Sequence, residues 1–510
     1  MKKKLHLLVL ALLSVFLFIS CGGSKETAGA KAATKDTLVV ANGADAKSLD
    51  PHATNDAPSS KVTVQIYDRL VEQDENMNII PSLAESWEQP DDVTTVFHLR
   101  KGVKFHNGEP LTAADVKFSL DRMKSSPQVS HIIGTVDKVE VVDENTVKVI
   151  TKQPFGALLS HLCHPTAAIL NEKAVKAAGD SYGQHPVGTG PYKFVSWASG
   201  DRIVLEANPD YFLGETPIKN VIFRAIPEAT NRTIGLETGE IDISIAVSSV
   251  DENTIKNNPK LQLITKPSIS YSYVGMNTQK TPLNDVRVRK AINYAVDKQA
   301  IVDVILNGSG KIATSPIAPG VFGFTDKTKN YEYNVEKARE LMKEAGYENG
   351  FKTSILVFGG EANTQTAEIL QAYLKEIGID LRIDVVEVSA YWDATEKGRH
   401  DLFLGSWGVV TGDADYGLYA MYHSSAKGGA GNRDFYENPK VDELLDKAKM
   451  TTDPEERKKL YEEIQLLIVD DAPDIMLYNR ILAVGAQKNI KGLNIHPVTL
   501  HDFSTVYIED

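Results

Sequence analysis

Cysteine is scarce in this sequence, which has two in 510 residues, Cys21 and Cys163. Cys21 follows an apolar N-terminal segment and has a separate predicted role, described below. Because a lone cysteine cannot form an internal disulfide, we expect Cys163 to be a free thiol. A domain without disulfides must be stabilised by burial of its core.

Basic residues are in the minority, with 55 Lys and Arg against 68 Asp and Glu and a formal net charge of −13. The excess acid is spread along the chain rather than gathered in a tail. Because an acidic surface repels phosphate backbones, we expect no nucleic-acid partner. The charge is compatible with a cationic ligand, although acidic surfaces mostly serve solubility.

Motifs of common catalytic sites are missing from the sequence. It contains no Gly-x-Ser-x-Gly, no His-Glu-x-x-His and no Walker loop. The glycines of Gly188-Thr-Gly190 do not have dinucleotide-fingerprint spacing and are not followed by a helical pattern, so we interpret them as a tight turn. We therefore expect a protein that is not an enzyme and that holds no cofactor.

The N-terminus carries the most specific local signal. Lys2-Lys3-Lys4 is a basic n-region, Leu5 to Ile19 is an apolar h-region, and Ser20 is a small residue before Cys21. The apolar run is shorter than the roughly 20 residues of a membrane-spanning helix. Phe18-Ile19-Ser20-Cys21 resembles a bacterial lipobox, in which the cysteine is diacylated and becomes the first residue of the mature protein.

These features predict a signal peptide over residues 1–20, lipidation of Cys21 and a flexible tether over residues 21–36. The protein would be an exported lipoprotein anchored in a membrane through acyl chains. It would lie in the periplasm of a Gram-negative cell or on the outer face of the membrane of a Gram-positive one. Ordinary secretion with an incidental Cys21 is the alternative.

After the tether, strand and helix patterns alternate. Strands are indicated near 37–41, 94–100, 139–149, 221–225, 354–357, 380–388 and 402–406, with helices at 112–124, 228–238, 364–377 and 390–397 and a helix start at Asp453-Pro454. This alternation predicts α/β layers with largely parallel sheets. A chain of this length exceeds the size at which one core stops growing, so two or more lobes are expected.

Residues 402–423 combine a short apolar strand, a Gly-rich turn, and acidic and aromatic side chains. Asp413 and Asp415 follow Trp407, and Tyr416 comes next. Because loops on a rigid scaffold carry function, we interpret this stretch as the lip of a pocket. The carboxylates could pair with a cation, and the rings could form apolar walls. A solvated turn with its aromatic residues in the core is the alternative.

Four stretches resemble the family 5 extracytoplasmic solute-binding proteins, which are the dipeptide, oligopeptide, glutathione and nickel binders of bacterial ABC importers. These stretches are 100–118, 186–194, 236–242 and 277–295. The resemblance implies a two-lobed periplasmic-binding-protein fold (type II, cluster C) with mixed sheets. Lobe I would comprise residues 37–277, with an extra subdomain at about 72–190, and would be completed by residues 480–510. Lobe II would comprise residues 278–479.

The same resemblance implies a receptor, expected to be a monomer, that captures peptides and delivers them to permease subunits. Thr411-Gly412-Asp413 matches the motif whose Asp pairs with the ligand α-ammonium in dipeptide binders, and Asp415-Tyr416 matches the form in longer-peptide binders. Asp413 is the preferred anchor and Asp415 the second choice. Trp407 would stack beside the ligand, with Trp392 and Tyr416 as weaker candidates.

The carboxylate end of the ligand is less clear in the sequence. Dipeptide binders carry an Arg where this chain has Val357-Phe358-Gly359-Gly360. Arg433, in a Gly-rich loop, could substitute, because its planar fork suits a carboxylate. A longer peptide, held by backbone hydrogen bonds, would need no such Arg. Glutathione, a nickel or other metal chelate, or a small non-peptide solute remain alternative ligands.

A metal site is the further alternative, since His161-Leu-Cys163-His164 brings possible ligands together. The same spacing fits a helix end before Pro165, and no fourth ligand is evident. We therefore predict no metal-binding residues.

Overall fold

The computed structural model describes residues 36–429 and 431–509. The predicted signal peptide (1–20), the lipidation site Cys21 and the tether up to residue 35 lie outside this range, so they stay predictions. Within the described part of the chain, no helix has the length and apolar character needed to cross a membrane.

Strands and helices alternate through most of the chain. The strands are β1 (Thr37–Asn42), β2 (Val71–Gln73), β3 (Ile79–Pro81), β4 (Ala84–Asp91), β5 (Thr94–Leu99), β6 (Val136–Asp143), β7 (Thr146–Thr151), β8 (Tyr192–Ala198), β9 (Arg202–Ala207), β10 (Asn220–Ala225), β11 (Ile243–Ser244), β12 (Leu261–Met276), β13 (Gly310–Ile312), β14 (Phe351–Phe358), β15 (Ile379–Val386), β16 (Leu402–Gly408), β17 (Asp474–Gln487), β18 (Ile490–Lys491) and β19 (Tyr507–Ile508). The helices are α1 (Ala57–Ile66), α2 (Ala113–Ser125), α3 (Leu158–Leu162), α4 (Glu172–Ala178), α5 (Ala229–Thr238), α6 (Glu252–Asn257), α7 (Val286–Ala295), α8 (Lys298–Leu306), α9 (Val335–Glu344), α10 (Glu361–Lys375), α11 (Val388–Glu396), α12 (Ala420–Tyr422), α13 (Pro439–Met450) and α14 (Pro454–Asp471).

Helix starts follow the local sequence. Asp453 Oδ1 accepts a hydrogen bond from the Glu456 N–H at 2.7 Å, and Pro454 opens α14. At α2, the Asp115 carboxylate accepts from the Thr112 N–H at 3.1 Å. These side chains satisfy N–H groups that have no partner within the first turn of a helix. Both helix starts agree with the sequence prediction.

The largest sheet among the described residues is mixed. Its strand order is β15-β14-β16-β12-β17-β11-β1-β10-β9-β8, with β13 also paired to β17. β14 is parallel to β15, with α10 between them, and β1 is parallel to β10. The central pair, β12 and β17, is antiparallel. The sheet therefore contains both parallel and antiparallel pairs, so the expectation of largely parallel sheets is wrong for it. A separate antiparallel sheet has the order β4-β5-β7-β6.

Buried apolar side chains form separate cores. Residues within 70–169 form one, here called the subdomain core. A second core joins residues within 38–245 to residues within 484–506, so the C-terminal segment packs against the N-terminal part. Two further cores lie within 269–478, and the one within 269–476 is here called the α14 core. Each fully buried Val, Leu, Ile or Phe contributes about 1.5–3 kcal/mol to such a core.

The long pair β12 and β17 extends from one set of cores to the other. Ile264 packs near the core that includes the C-terminal segment, whereas Ile269 belongs to the α14 core. The register of the pair is irregular between Pro267 and Tyr271. The two strands therefore run continuously from the core that includes the C-terminal segment to the α14 core. The lobe boundaries given above stay predictions.

The turn at Gly188 and Gly190 is a place of close backbone approach. A Cβ at Gly188 would lie 1.9 Å from the Ile66 carbonyl oxygen, and one at Gly190 would lie 2.6 Å from the Gln65 carbonyl oxygen. The glycines therefore allow this loop to pack against the end of α1.

Candidate functional site

The loop after β16 is held between two parts of the molecule. Gly412 accepts a backbone hydrogen bond from the Phe322 N–H at 2.8 Å. From the other side, Gln73 Nε2 donates to the Thr411 carbonyl oxygen at 2.6 Å. Gly412 has φ +67°, and a Cβ there would lie 2.6 Å from Met77. The loop therefore has a fixed conformation that depends on glycine at this position.

Asp413, the preferred amine anchor, has an internal partner. Arg457 Nη2 lies 2.6 Å from Oδ1 and Nη1 lies 2.9 Å from Oδ2, and the side chains are 4% and 3% exposed. Burial would lower the Arg457 pKa, but Asp413 and Tyr461 offset this and hold it above its ordinary value. The structure thus differs from the free carboxylate expected at this position, because Arg457 occupies both oxygens.

Asp415 contacts a residue from a distant part of the sequence. Its Oδ2 lies 3.4 Å from Nε2 of His161, and its N–H donates to Asp413 Oδ1 at 3.0 Å. Burial would raise the Asp415 pKa, but the hydrogen bond and charge of His161, with Lys449 and Arg457, lower it below its ordinary value. The second-choice anchor is therefore ionised and also paired internally.

Trp407 and Tyr416 lie together, with ring centroids 5.9 Å apart. The Tyr416 ring also lies 6.0 Å from His161 and 6.2 Å from His164. Both aromatic side chains are partly buried. The buried Nε1 of Trp407 has no hydrogen-bond partner among residues 36–429 and 431–509. Because buried N–H groups are usually hydrogen-bonded, a ligand could supply the acceptor for this donor.

Arg433 and Trp392 form a second, separate pair. The Arg433 guanidinium lies 4.4 Å from the Trp392 ring centroid, which is a cation–π geometry. Its Nη2 lies 3.8 Å from Glu396, and its buried Nε has no hydrogen-bond partner in the described chain. Burial lowers the Arg433 pKa. The structure therefore brings these two predicted residues together with each other.

A cavity of about 250 Å³ adjoins the loop through Val410. Charged groups of both signs line it, chiefly Asp68, Arg69 and Glu72 beside β2, together with Asp502. None of Asp413, Asp415, Trp407, Tyr416, Arg433 and Trp392 is among the lining residues. The cavity wall therefore comes mainly from segments that the sequence analysis did not single out.

Arg69 and Asp68 differ in how their charges are balanced. Arg69 Nη2 lies 2.6 Å from Glu72, whereas its buried Nε has no partner in the part of the chain described. Asp68 accepts from Thr189 Oγ1 at 2.6 Å and from the Tyr211 hydroxyl at 3.3 Å. Burial, followed by the charge of Glu72, raises the Asp68 pKa to about 7. The cavity thus offers a cationic donor and carboxylates to a small polar solute.

In the His161, Cys163 and His164 cluster, the Nδ1 atoms of both histidines have hydrogen-bond partners within the protein. His161 Nδ1 lies 2.6 Å from the Ile132 carbonyl oxygen, and His164 Nδ1 lies 2.8 Å from Thr166 Oγ1. Burial raises the pKa of the Cys163 thiol. Across the described residues, no three or more His, Cys, Asp or Glu side chains are grouped so that they could hold a metal ion.

Sequence reasoning missed the partners of both acidic residues. Arg457 lies 44 residues after Asp413, in the first turn of α14, and His161 was considered only as a possible metal ligand. Asp68, Arg69 and Glu72 were not considered for the site. Asp68 and Arg69 precede β2 and Glu72 lies on it, and this local arrangement is ordinary, so the sequence carries no signal of the cavity.

Comparison with known proteins defines the class. The fold is that of two-lobed periplasmic binding proteins: it matches DppA from Helicobacter pylori, in complex with the peptide STSA, with a TM-score of 0.82 and 32% identity over 94% of this chain and 99% of that one. HbpA2 from Haemophilus parasuis matches with a TM-score of 0.83 and 30% identity over 93% and 100% of the two chains. The predicted fold class is confirmed.

Sequence comparison then gives the family. The model for bacterial extracellular solute-binding proteins, family 5 Middle, matches residues 78–429. The glutathione-binding protein GsiB of Pectobacterium atrosepticum is 34% identical over 484 residues, covering 92% of this chain and 94% of that protein. The chain belongs to the family 5 bacterial extracellular solute-binding proteins, as the sequence motifs predicted. It is an extracytoplasmic substrate-binding protein of an ABC transporter and not an enzyme.

Proposed function

We propose that the protein is a monomeric receptor lipoprotein that captures short peptides between two lobes and delivers them to its ABC permease. The anchor would be the acyl chains on Cys21, beyond the tether. The assignment of a peptide ligand is supported by DppA, which is described in complex with the peptide STSA. It is also consistent with the acidic and aromatic loop after β16.

The observation that supports the proposal is the cavity beside Val410, which has carboxylates and an Arg69 Nε without a hydrogen-bond partner among the residues that the structure describes. A peptide has an ammonium and a carboxylate, so a wall with both signs of charge suits it. Arg69 would donate hydrogen bonds to the ligand carboxylate, and charge-assisted hydrogen bonds of this type contribute about 1.5–3 kcal/mol each. Glu72 and Asp68 would face the cationic end.

The aromatic pair Trp407 and Tyr416 does not line the cavity, but it would contact a ligand that extends from the cavity along the loop after β16. The Trp407 Nε1–H could then donate to a ligand carbonyl. Asp413 and Asp415 keep their predicted role as amine anchors, with the condition that a ligand ammonium would share carboxylates already paired with Arg457 and His161. Arg433 stays an alternative partner for the ligand carboxylate, with Trp392 beside it.

Mass spectrometry of small molecules released from the purified protein by mild denaturation tests the ligand class. We expect a peptide, and calorimetry should then show binding of Ser-Thr-Ser-Ala or a similar peptide without product formation. A ligand that binds only the folded state should also raise the melting temperature in proportion to its concentration. Release of a non-peptide solute, with no binding of peptides, would contradict the proposal.

Glutathione is the second candidate, favoured by the 34% identity to the glutathione-binding protein GsiB. It is a peptide-like anion at neutral pH, so it needs more cationic groups than a neutral dipeptide. Side-by-side calorimetry with glutathione and Ser-Thr-Ser-Ala separates the two. A metal chelate as ligand would instead appear as metal content that is lost on treatment with a chelator.

A further inference from the structure

The cavity beside Val410 has an excess of negative charge. Among the residues that the structure describes, its charged lining consists of five carboxylates and one guanidinium, from Asp68, Glu72, Asp74, Glu75, Asp502 and Arg69. The guanidinium is already paired, because Arg69 Nη2 lies 2.6 Å from Glu72. His496 also lines the cavity, but burial lowers its pKa to about 4, so it is uncharged at neutral pH. The wall therefore keeps a negative charge that its own residues do not compensate.

Three of the carboxylates have no ion-pair partner in the described chain. Asp74 accepts a hydrogen bond from the side-chain amide of Asn78 at 3.0 Å. Asp502 accepts from the Ser504 hydroxyl at 2.6 Å. Across residues 36–429 and 431–509, none of Asp74, Glu75 and Asp502 forms an ion pair with Lys, Arg or His. Neutral donors stabilise a carboxylate but leave its charge in place, so these groups are open to a cationic partner.

Two basic side chains lie beside the cavity without lining it. Arg100 Nε donates to the Ser82 carbonyl oxygen at 2.6 Å. Lys266 Nζ donates to the Glu75 carbonyl oxygen. Both cations therefore bind backbone oxygens of lining residues instead of the lining carboxylates. Even when these two and Arg69 are counted together, they are fewer than the five carboxylates, so the region stays negative.

Apolar side chains are exposed on the same wall. Leu213 and Ile80 line the cavity, and they are 61% and 39% exposed. Large apolar side chains at a cavity can contact the hydrocarbon part of a solute. Lysine and arginine combine a methylene stem with a charged end, and they bury the stem along apolar surface while the charge stays with polar groups. A basic side chain therefore suits a wall that offers both apolar surface and carboxylates.

Arg69 supplies an independent sign that the cavity takes a ligand. The residue is 8% exposed, and its buried Nε has no hydrogen-bond partner among the residues that the structure describes. A carbonyl oxygen or a carboxylate of a solute could accept from this atom. A purely anionic solute would do so while facing five carboxylates, whereas a peptide with a basic side chain satisfies both the donor and the carboxylates.

We propose that the cavity beside Val410 selects peptides that carry a lysine or arginine side chain. Arg69 binds the backbone or the terminal carboxylate of the peptide. Glu75 and Asp502 bind the ammonium or guanidinium group, and the methylene stem packs on Leu213. The inference rests on the proposed function, because it specifies which peptides the same site binds. It disfavours glutathione, which is an anion at neutral pH.

Calorimetry with a matched set of peptides tests the selection. Each position of Ser-Thr-Ser-Ala is replaced in turn by lysine, norleucine or glutamate; norleucine keeps the alkyl chain of lysine without its ammonium group. The best lysine peptide should bind the full chain about tenfold more tightly than the norleucine peptide of the same sequence, because a charge-assisted hydrogen bond is worth that factor. The glutamate peptide should bind more weakly than both. Added salt should reduce the preference, since exposed charges are screened.

The double variant Glu75→Gln, Asp502→Asn tests the two carboxylates. Both side chains are exposed, so the variant should fold. It should lose most of the roughly tenfold preference for the lysine peptide over its norleucine counterpart. Glu85→Gln with Asp92→Asn is the matched control, because it removes the same charges at exposed positions that do not line the cavity. The control should keep the preference.

The outcomes separate this inference from the proposed function. If peptides bind but no lysine peptide binds more tightly than its norleucine counterpart, the selection is overturned and the peptide receptor stands. A preference that survives in Glu75→Gln, Asp502→Asn, or that is lost equally in the control, would overturn the role of these carboxylates. If none of the peptides binds, the proposed peptide ligand is overturned and this inference with it.

Discussion

Asp413 and Asp68 are both buried carboxylates, but they differ in the groups that compensate for the loss of water: a cation at Asp413 and neutral hydroxyls at Asp68. Asp413 is 2% exposed and receives two hydrogen bonds from the Arg457 guanidinium. Asp68 is 4% exposed and is held by the hydroxyls of Thr189 and Tyr211. Burying a charge is costly unless it is paired, and burial of Asp68, which has hydroxyl partners, raises its pKa to about 7.

The difference separates a carboxylate that is paired with a cation from one that is held by neutral hydroxyls. A bidentate ion pair leaves Asp413 little capacity for another cation, and it fixes the loop to α14. Asp68 lines the cavity, and within residues 36–429 and 431–509 no guanidinium is hydrogen-bonded to its oxygens. Adding a ligand cation there would supply the missing compensation. The acidic residue that sequence motifs favour is therefore the more constrained of the two.

The largest expected effect is on stability. Arg457→Met would leave Asp413 buried without a cation and should lower the free energy of unfolding by about 3–5 kcal/mol. Urea unfolding followed by circular dichroism measures this change. Lys458→Met is the control, since its ion pair with Glu455 is exposed and should contribute less than about 1 kcal/mol. Equal loss in both variants would contradict the structural role of the pair.

The pH dependence of stability gives the next largest effect. In the unfolded chain Asp68 should ionise near its ordinary pKa of about 4, whereas in the folded protein it keeps its proton to about pH 7. The folded state then binds more protons in this window, so Asp68 makes stability fall as pH rises, by at most about 1.4 kcal/mol per pH unit.

Asp68→Asn should remove this component. Relative to the wild type, the variant should gain stability from about pH 5 to about pH 8, as measured by urea unfolding at each pH. The contributions of the other titrating groups to the free energy of unfolding are the same in both proteins, so they cancel in the difference. Asp303→Asn, at an exposed site, should show no such gain. If the free energies of unfolding of the wild type and the Asp68→Asn variant differ by the same amount at every pH, Asp68 is ionised when buried, and the prediction is wrong.

The smallest effect concerns the two arginines that could hold a ligand carboxylate. Arg69→Gln should weaken binding of a free-acid peptide about tenfold and leave binding of its C-terminal amide nearly unchanged. Arg433→Gln is the matched comparison, because its guanidinium stacks on Trp392 instead of lining the cavity. Calorimetry with both peptides compares the variants. If only Arg433→Gln weakens binding of the free-acid peptide and not of the amide, the ligand carboxylate binds at Arg433 beside Trp392, and the role proposed for Arg69 is wrong.

Much of the fold could be predicted because its signals are local. The helix start at Asp453-Pro454 depends on neighbouring residues, and α14 begins there. The apolar run at 402–406 lies within β16. The family motifs added the two-lobed architecture, which alternation alone does not specify. The antiparallel pairing of β12 with β17 joins residues some 200 positions apart, for which local patterns contain no information.

The candidate site was predicted less completely. Sequence patterns correctly indicated a loop with acidic and aromatic residues, and the structure brings Trp407 and Tyr416 together. They did not indicate that Arg457 and His161 would occupy the two carboxylates. Charge pairing between distant segments depends on distances of a few ångströms, which spacing along the chain does not fix.

By itself, the sequence determined the membership of the family, the succession of strands and helices, and the acidic character of the chain, because each is set by residue identity and short-range order. Only the tertiary structure decided which charges are compensated. Asp413 and Asp68 are the same residue type, yet folding brings a guanidinium to one and hydroxyls to the other, because residues far apart in the sequence meet only in the folded chain.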